Sequence, residues 1–336
     1  MPFTCAAQEL PVLFLYNIDP DWTEEEAEAA RQANRKMADA LRVAGHPVAH
    51  AEVTDPDLPS LLAAHSPHEQ ILFNQCESLP GVPHSEHEVV RLIEASGFTY
   101  TGAPPEALRL TGDKAETKRL LDAHNIPTPD WRVFEAPRAD GWDLFPAIVK
   151  TVREHCSLSL TPESVVMNRG ELERRIAHIL QRYDQPALVE DFIDGREFHV
   201  PVWGDGTPML LPVVEMDFSA CPSLRDRLCT YDAKFSPDSL EYAAINSLIP
   251  APLNEQELAA LSDVTLNAYR ATGCRDYARL DVRKRGGIFY VLDVNPNADL
   301  DNEASIACAA ECSGLSYSEL MTRLVRLAAR RHPRFA

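Results

Sequence analysis

The chain has no Cys-x-x-Cys pair and no framework spacing among its 8 cysteines. They fall at positions 5, 76, 156, 221, 229, 274, 308 and 312. Scattered in this way, they read as reduced, mostly core residues of a cytoplasmic protein. No apolar stretch approaches the length that crosses a membrane. No basic segment leading into a long apolar run opens the sequence, so no signal peptide is expected. Positive charge is also short. Lys and Arg number 32 against 51 Asp and Glu, a formal net charge of −19. That balance argues against nucleic acid and anionic membranes as partners. An anionic substrate would need local basic groups and a metal ion to offset the field.

Several common site motifs are missing. No GxGxxG follows the first apolar run; the loop there is Asn17-Ile-Asp-Pro-Asp21. A dinucleotide fingerprint is therefore not expected. There is no GxSxG elbow and no GxxxxGK[ST] loop. His65/His68 and His84/His87 have ligand-like spacing, but neither pair has a third ligand nearby in sequence. They read as surface histidines.

What is present is globular: 336 residues, 45% hydrophobic and 25% charged. That length favours two or three domains. Leu10–Tyr16 is a continuous apolar run, as in a buried parallel strand. Residues 23–44 form an amphipathic helix, with Thr23 and Glu26 as a capping box and Gly45 as its stop. Strands are expected at Pro47–Val53, Ile71–Asn74 and Phe98–Gly102, with helices at Leu58–His65 and Ser85–Ser96. Strands alternating with helices imply α/β architecture, a doubly wound parallel sheet. Ligands should gather at its strand ends, near Asn17, Asp19, Asn74 and Glu77.

Ala103-Pro-Pro105 reads as a linker and Thr111–Asn125 as a helix carrying Lys114 and Lys118. Strands follow at Phe145–Lys150, Ser164–Met167 and Pro186–Ile193, with a helix at Arg169–Tyr183. Glu197–Trp203 and Pro208–Phe218 continue as antiparallel strands, so the C-terminal half reads as α+β. Cys221–Ile249 lacks periodicity, holds Tyr231 and Lys234, and reads as a long functional loop. Helices at Asn254–Thr272, Ala304–Ser313 and Ser318–Arg330 complete the chain.

Residues 279–297 read as a β-hairpin turning at Arg285-Gly286-Gly287. A three-residue loop would pair Arg279 with Asp293 and Asp281 with Val291. Arg279, Asp281, Asp293 and Asn295 then share one face. Two carboxylates, an amide oxygen and a guanidinium suit Mg²⁺ and a developing negative charge. A solvated face with surface ion pairs is the alternative.

Lys150 ends an apolar strand, where a lysine is awkward to bury unless an anion meets it. Lys114 sits near a helix start, where a cation opposes the dipole. A phosphate would explain both. Lys118 reads as a snorkelling surface residue. Glu190 interrupts the strand running into Phe192 and Ile193. Backbone edges with apolar flanks suit a purine, and Glu190 and Glu197 could accept from an amino group and a ribose hydroxyl.

Asp113-Lys114, Phe145–Lys150, Ala187–Phe198, Asp232-Ala-Lys234 and Arg279–Asn295 together resemble the ATP-grasp fold, specifically the D-alanine–D-alanine ligase group. The similarity runs from about Ile71 to Leu320. It implies a nucleotide-dependent ligase that joins a carboxylate to an amine through an acyl phosphate, using ATP and two Mg²⁺, with Mn²⁺ as an allowed substitute. It also implies an N-terminal domain over residues 1–105, a small lid subdomain over 106–185 and a catalytic subdomain over 186–336. By resemblance, Lys114 and Lys150 bind phosphates, Glu190 the adenine and Glu197 the ribose. Asp281, Asp293 and Asn295 are the metal ligands, Arg279 stabilises the tetrahedral intermediate, and Lys234 belongs to the loop closing over the site.

The departures concern substrate. The family's N-terminal glycine-serine motif is replaced by Asn17–Asp21. The phosphate-covering loop is Arg153–Ser159, poor in glycine. Asp293 stands where the family usually has Glu. Where the family places serine for the second substrate's carboxylate, this chain has Asp299, Asp301 and Glu303. Carboxylates cannot donate hydrogen bonds to a carboxylate. The expectation is a ligase for small carboxylate and amine substrates other than two D-alanines, with Asn17, Glu77, Tyr231 and the three acids at the substrate. An intramolecular ligase and a non-catalytic nucleotide-binding protein are the competing readings. A homodimer is compatible with the sequence.

Overall fold

The structure, a computed structural model, describes residues 9–154, 159–230 and 244–336. Tyr231 and Lys234 lie outside the described residues, as does much of the Arg153–Ser159 loop.

The N-terminal sheet is parallel, in the order β2 (Val48–Val53), β1 (Val12–Asn17), β3 (Ile71–Gln75). Both of its faces are buried, which is why β1 reads as an unbroken apolar run. Val12, Phe14 and Tyr16 pack with Met37 and Leu41 of α1 (Glu24–Val43). Leu13 and Leu15 pack oppositely, on α2 (Leu58–Leu62) and α3 (Glu86–Ala95). The expected Thr23–Glu26 capping box opens α1. Phe98–Gly102 is not a strand: only Tyr100 bridges to Leu72. The expected linker is also different. Pro104 caps, and Pro105 begins, a helix α4 (Pro105–Thr111). Proline at the first helical position has no hydrogen bond to lose.

Helix α5 (Lys114–Ala123) starts at the Asp113 cap and leads into a four-stranded antiparallel sheet. Its order is β4 (Trp131–Phe134), β7 (Ala187–Asp191), β5 (Ala147–Thr151), β6 (Val165–Val166). Ala187–Asp191 thus pairs into this sheet from the far side of residue 185. Helix α6 (Arg169–Tyr183) covers one face through Leu172, Ile176 and Ile179 against Val149 and Val189. Lys150 and Glu190 alternate with those core residues, so they stand on the other face.

The largest sheet is antiparallel. Its order is β11 (Asn246–Leu248), β10 (Val214–Asp217), β8 (Arg196–Gly204), β12 (Asp276–Arg285), β13 (Ile288–Pro296), with β9 (Met209–Leu210) on β8. Asn246–Leu248, expected as loop, is the edge strand. Helix α7 (Glu255–Ala271) packs beneath, placing Leu261 and Tyr269 against Phe198, Val200, Leu280 and Val282. Two helices, α8 (Ser305–Cys312) and α9 (Tyr317–Ala329), close the fold on the N-terminal sheet and α1.

The hairpin differs from expectation in two ways that offset each other. The turn holds two residues, since Arg285 pairs with Ile288. A β-bulge then follows: Val282 pairs with Val291, but Asp281 pairs with Asp293. Leu292 is the extra residue. Phe289 and Val291, expected on the polar face, are buried in the core with Val294. A one-residue slip turns every side chain to the other face. Without the bulge, Asp293 and Asn295 would follow Val291 into the core. With it, they stand opposite Asp281 and Arg279.

Candidate active site

The upper surface of the largest sheet carries the hairpin group. Arg279 donates to Asp281 through Nε (2.7 Å) and Nη2 (3.0 Å). Asn295 Nδ2 donates to Asp281 Oδ2 and to the Arg279 carbonyl, each at 3.2 Å. Burial opposes the charge on Arg279, but Asp281 outweighs it and holds the guanidinium pKa above its usual value. Asp293 is the directly opposed partner of Asp281.

Next on the same face comes β8, whose His199 pairs with Asp281 and whose Glu197 pairs with Arg283. Arg283 Nε donates to Glu197 Oε2 at 2.6 Å, and Nη1 to the Ile193 carbonyl at 3.0 Å. Its guanidinium lies between the rings of Phe192 and Phe218, at 4.8 and 5.3 Å. Burial works against the Glu197 charge, but Arg283 outweighs it and keeps the carboxyl pKa well below the usual range. Phe192 and Ile193 are both buried, so this corner is apolar around one ion pair.

The facing wall comes from the four-stranded sheet and α5. Lys150 Nζ lies 2.5 Å from Glu190 Oε2, and Lys118 pairs with Glu190 Oε1. Glu190 and Lys118 are each 1% exposed. Lys118 is therefore no surface residue. Its stem is enclosed and its charge meets a buried carboxylate, which sequence periodicity could not reveal. Burial opposes ionisation of Glu190, yet the two lysines outweigh it and lower its pKa to about 2. Asp293 and Glu197 lie near enough to add to the pull that keeps Lys150 charged against its burial. The two walls therefore face each other. Lys114 begins α5 one turn before Lys118, and its Nζ donates to the Glu154 carbonyl at 2.5 Å.

The mouth lies where the N-terminal sheet meets the hairpin. The buried Asn17 side chain accepts from Glu77 N at 2.9 Å and donates to Ser78 Oγ at 3.3 Å. It fixes the loop that presents Glu77. Asp19 accepts from the amides of Asp21 and Gly81, and Asn74 from that of Cys76. Glu86, absent from the sequence expectation, accepts from Asn297 Nδ2 at 3.0 Å. Burial pushes the Glu86 carboxyl up to about 8, with Glu77 adding repulsion. Burial also raises Glu77, reinforced by Asp299, and it raises Asp299 itself. Arg279 is close enough to pull Asp299 the other way.

The three acids after Asn295 separate. Asp299 accepts from Asp301 N at 2.8 Å, and Asp301 accepts from Glu303 N at 3.1 Å. Both brace the loop. Neither caps α8, whose N-cap Ala304 makes no side-chain bond. Glu303 is exposed. Sequence reading also passed over His199 and Arg283. The available signal was their alternation with core residues on β8 and β12.

Residues 120–326 match the family model "D-ala D-ala ligase C-terminus". A D-alanine–D-alanine ligase of Marinomonas sp. is 32% identical over 310 residues, 90% of this chain and 91% of that protein. The protein y4sG of Sinorhizobium fredii is 33% identical over 266 residues, 78% of this chain and 75% of its own length. The solved D-alanine–D-alanine ligase of Bacillus anthracis, complexed with ATP, has the same fold. Its TM-score is 0.72 over 96% of this chain and 98% of that one, at 18% identity. On the sequence match and the shared fold, this chain belongs to the ATP-grasp D-alanine–D-alanine ligase family.

Proposed function

We propose that this protein is an ATP-dependent carboxylate–amine ligase whose substrates are not two D-alanines. The observation that carries the ligase reading is the hairpin face. Arg279, Asp281, Asp293 and Asn295 are opposed in register and look across at Lys150 and Glu190. In this reading Lys114 and Lys150 hold phosphates. The apolar corner of Phe192, Ile193 and Glu197 takes the nucleoside, with Glu190 at the adenine. Lys118 keeps Glu190 ionised.

Asp281, Asp293 and Asn295 form an oxygen-donor set of the kind Mg²⁺ takes, so they would hold it. When bound, Mg²⁺ neutralises phosphate charge. To present its own oxygen, the Asn295 amide must release Asp281. The substrate carboxylate attacks the γ-phosphorus and ADP leaves. The amine then attacks the acyl carbonyl, and phosphate and a proton leave. Arg279 faces the oxyanion formed in that second step.

The specificity reading rests on the mouth. Glu77, Glu86 and Asp299 crowd together there, and burial raises all three carboxyl pKa values. These three groups offer a substrate carboxylate no cation, and any of them that is ionised would repel it. A substrate amine or other cationic end would relieve the crowding. Asn17 acts by positioning Glu77, and Asp301 by holding Asp299. In this reading Lys234 belongs to the loop that closes over the site and Tyr231 meets the substrate.

The test is ADP release and product mass over a panel of amino acids, short peptides and amines, with Mg²⁺. Turnover is expected with a pair that brings a cationic group, and D-alanyl-D-alanine is expected only at background. Efficient D-alanyl-D-alanine synthesis would overturn the specificity reading.

A further inference from the structure

His199 is 4% exposed, and its Nε2 is buried with no hydrogen-bond partner. Its other nitrogen, Nδ1, lies 3.1 Å from Ser305 Oγ, which fixes the ring plane. Nε2 therefore points in a defined direction, and what lies there is a ligand set. Glu197 Oε1 is 3.7 Å away, on the carboxylate oxygen that Arg283 does not use. The Cys229 thiol completes the group. The three donor atoms lie within 4.8 Å of one another, and all three residues are buried.

Nitrogen, oxygen and sulfur donors bind a tetrahedral ion at about 2.0–2.3 Å, which sets them roughly 3.4 Å apart. The His199–Glu197 distance is within a few tenths of that spacing. A thiol rotation can bring in the sulfur. The ring is already held by Ser305, as metal-bound histidines usually are by a second partner.

We propose that Glu197, His199 and Cys229 form a binding site for a soft divalent cation of the Zn²⁺ type. It adjoins the all-oxygen hairpin set of Asp281, Asp293 and Asn295, with Asp281 Oδ1 3.9 Å from the same Nε2, and differs from it in donor type. Imidazole and thiolate select Zn²⁺ over Mg²⁺, whereas carboxylates and amides do the reverse. Binding converts the Cys229 thiol to a thiolate, and its proton leaves to solvent. Three protein ligands leave one tetrahedral position open, so the ion is exchangeable rather than structural. An ion seated here occupies the carboxylate proposed above for the ribose, so metal and nucleotide compete. Metal uptake itself does not depend on the ligase reading, and a failed titration would leave that reading intact.

The experiment is a Co²⁺ titration of the full-length, reduced, chelator-treated protein, followed by absorption. One tight equivalent is expected, with a thiolate-to-cobalt charge-transfer band. Zn²⁺ should abolish the band, and a hundredfold excess of Mg²⁺ should leave it. Cys229→Ser should lose the band while keeping its far-ultraviolet circular dichroism. His199→Gln should weaken uptake by at least about tenfold, the scale seen for losing a metal's support. Absence of the band in the unmodified protein would overturn the proposal. So would a band that survives in C229S, or Co²⁺ uptake by H199Q as tight as in the parent.

Discussion

Glu86 offers a measurement of how crowded the mouth is. Unfolded, its carboxyl titrates near 4.5; folded, burial holds it up to about 8. Between those values the folded chain keeps a proton that the unfolded chain has lost. Stability therefore falls as pH rises through that window. Each pKa unit is worth about 1.4 kcal/mol. Halving the full shift for the solvent that still reaches Glu86 leaves about 2 kcal/mol lost by pH 8. Glu86→Gln keeps an acceptor for Asn297 and removes the charge. The variant should be more stable than the parent by about 2 kcal/mol at pH 8, roughly 4 °C in melting temperature. The gap should close to a few tenths of a kcal/mol near pH 4, where Glu86 is protonated in the fold and largely so without it. Thermal melts of both proteins at the two pH values, without ligands, decide it. A constant offset at pH 4 and pH 8, or a Gln variant that is less stable at both, would refute the reasoning.

Turnover should depend on the opposed walls. Asp281→Asn and Lys150→Ala should each lower ADP release by about a hundredfold or more, the scale of one transition-state electrostatic group, with the fold retained. Near-parental rates would remove both residues from the site. Gly102→Ala should cost about 2 kcal/mol in a denaturant melt. Its φ is +99°, and a Cβ there would sit 2.1 Å from Asn297 Oδ1, on the side chain whose Nδ2 donates to Glu86. Arg331→Ala should cost about 3 kcal/mol, because it strips the fully buried Asp276 of its cation. An unchanged midpoint for either variant would contradict the packing described.

The parts that sequence made legible were those with a local cause. Thr23 and Glu26 cap α1 as expected, and the unbroken run in β1 marks a strand buried on both faces. The polar hairpin face was legible as a set, but for an incomplete reason. The turn is shorter than expected and the bulge at Leu292 restores the face, so two one-residue differences cancel. Ala103–Pro105 misled because proline marks a helix start as readily as a linker. Lys118 and Glu86 were not legible, because what defines them is distant in sequence. Glu190 lies on another sheet, and Asn297 lies beyond the hairpin. His199 was a lone histidine on a strand until Glu197 and Cys229 stood beside it.

The packing of α9 against α1 and the N-terminal sheet has a consequence for biosynthesis. The face of β1 and β3 that bears Phe14, Tyr16 and Phe73 is covered partly by Leu320, Leu324 and Val325. Those residues leave the ribosome long after the sheet that needs them. Domains that fold as they emerge require their own covering elements in hand. Here the first sheet must wait, half covered by α1, with aromatic surface open to other chains or to chaperones. Its maturation is tied to the synthesis of α9.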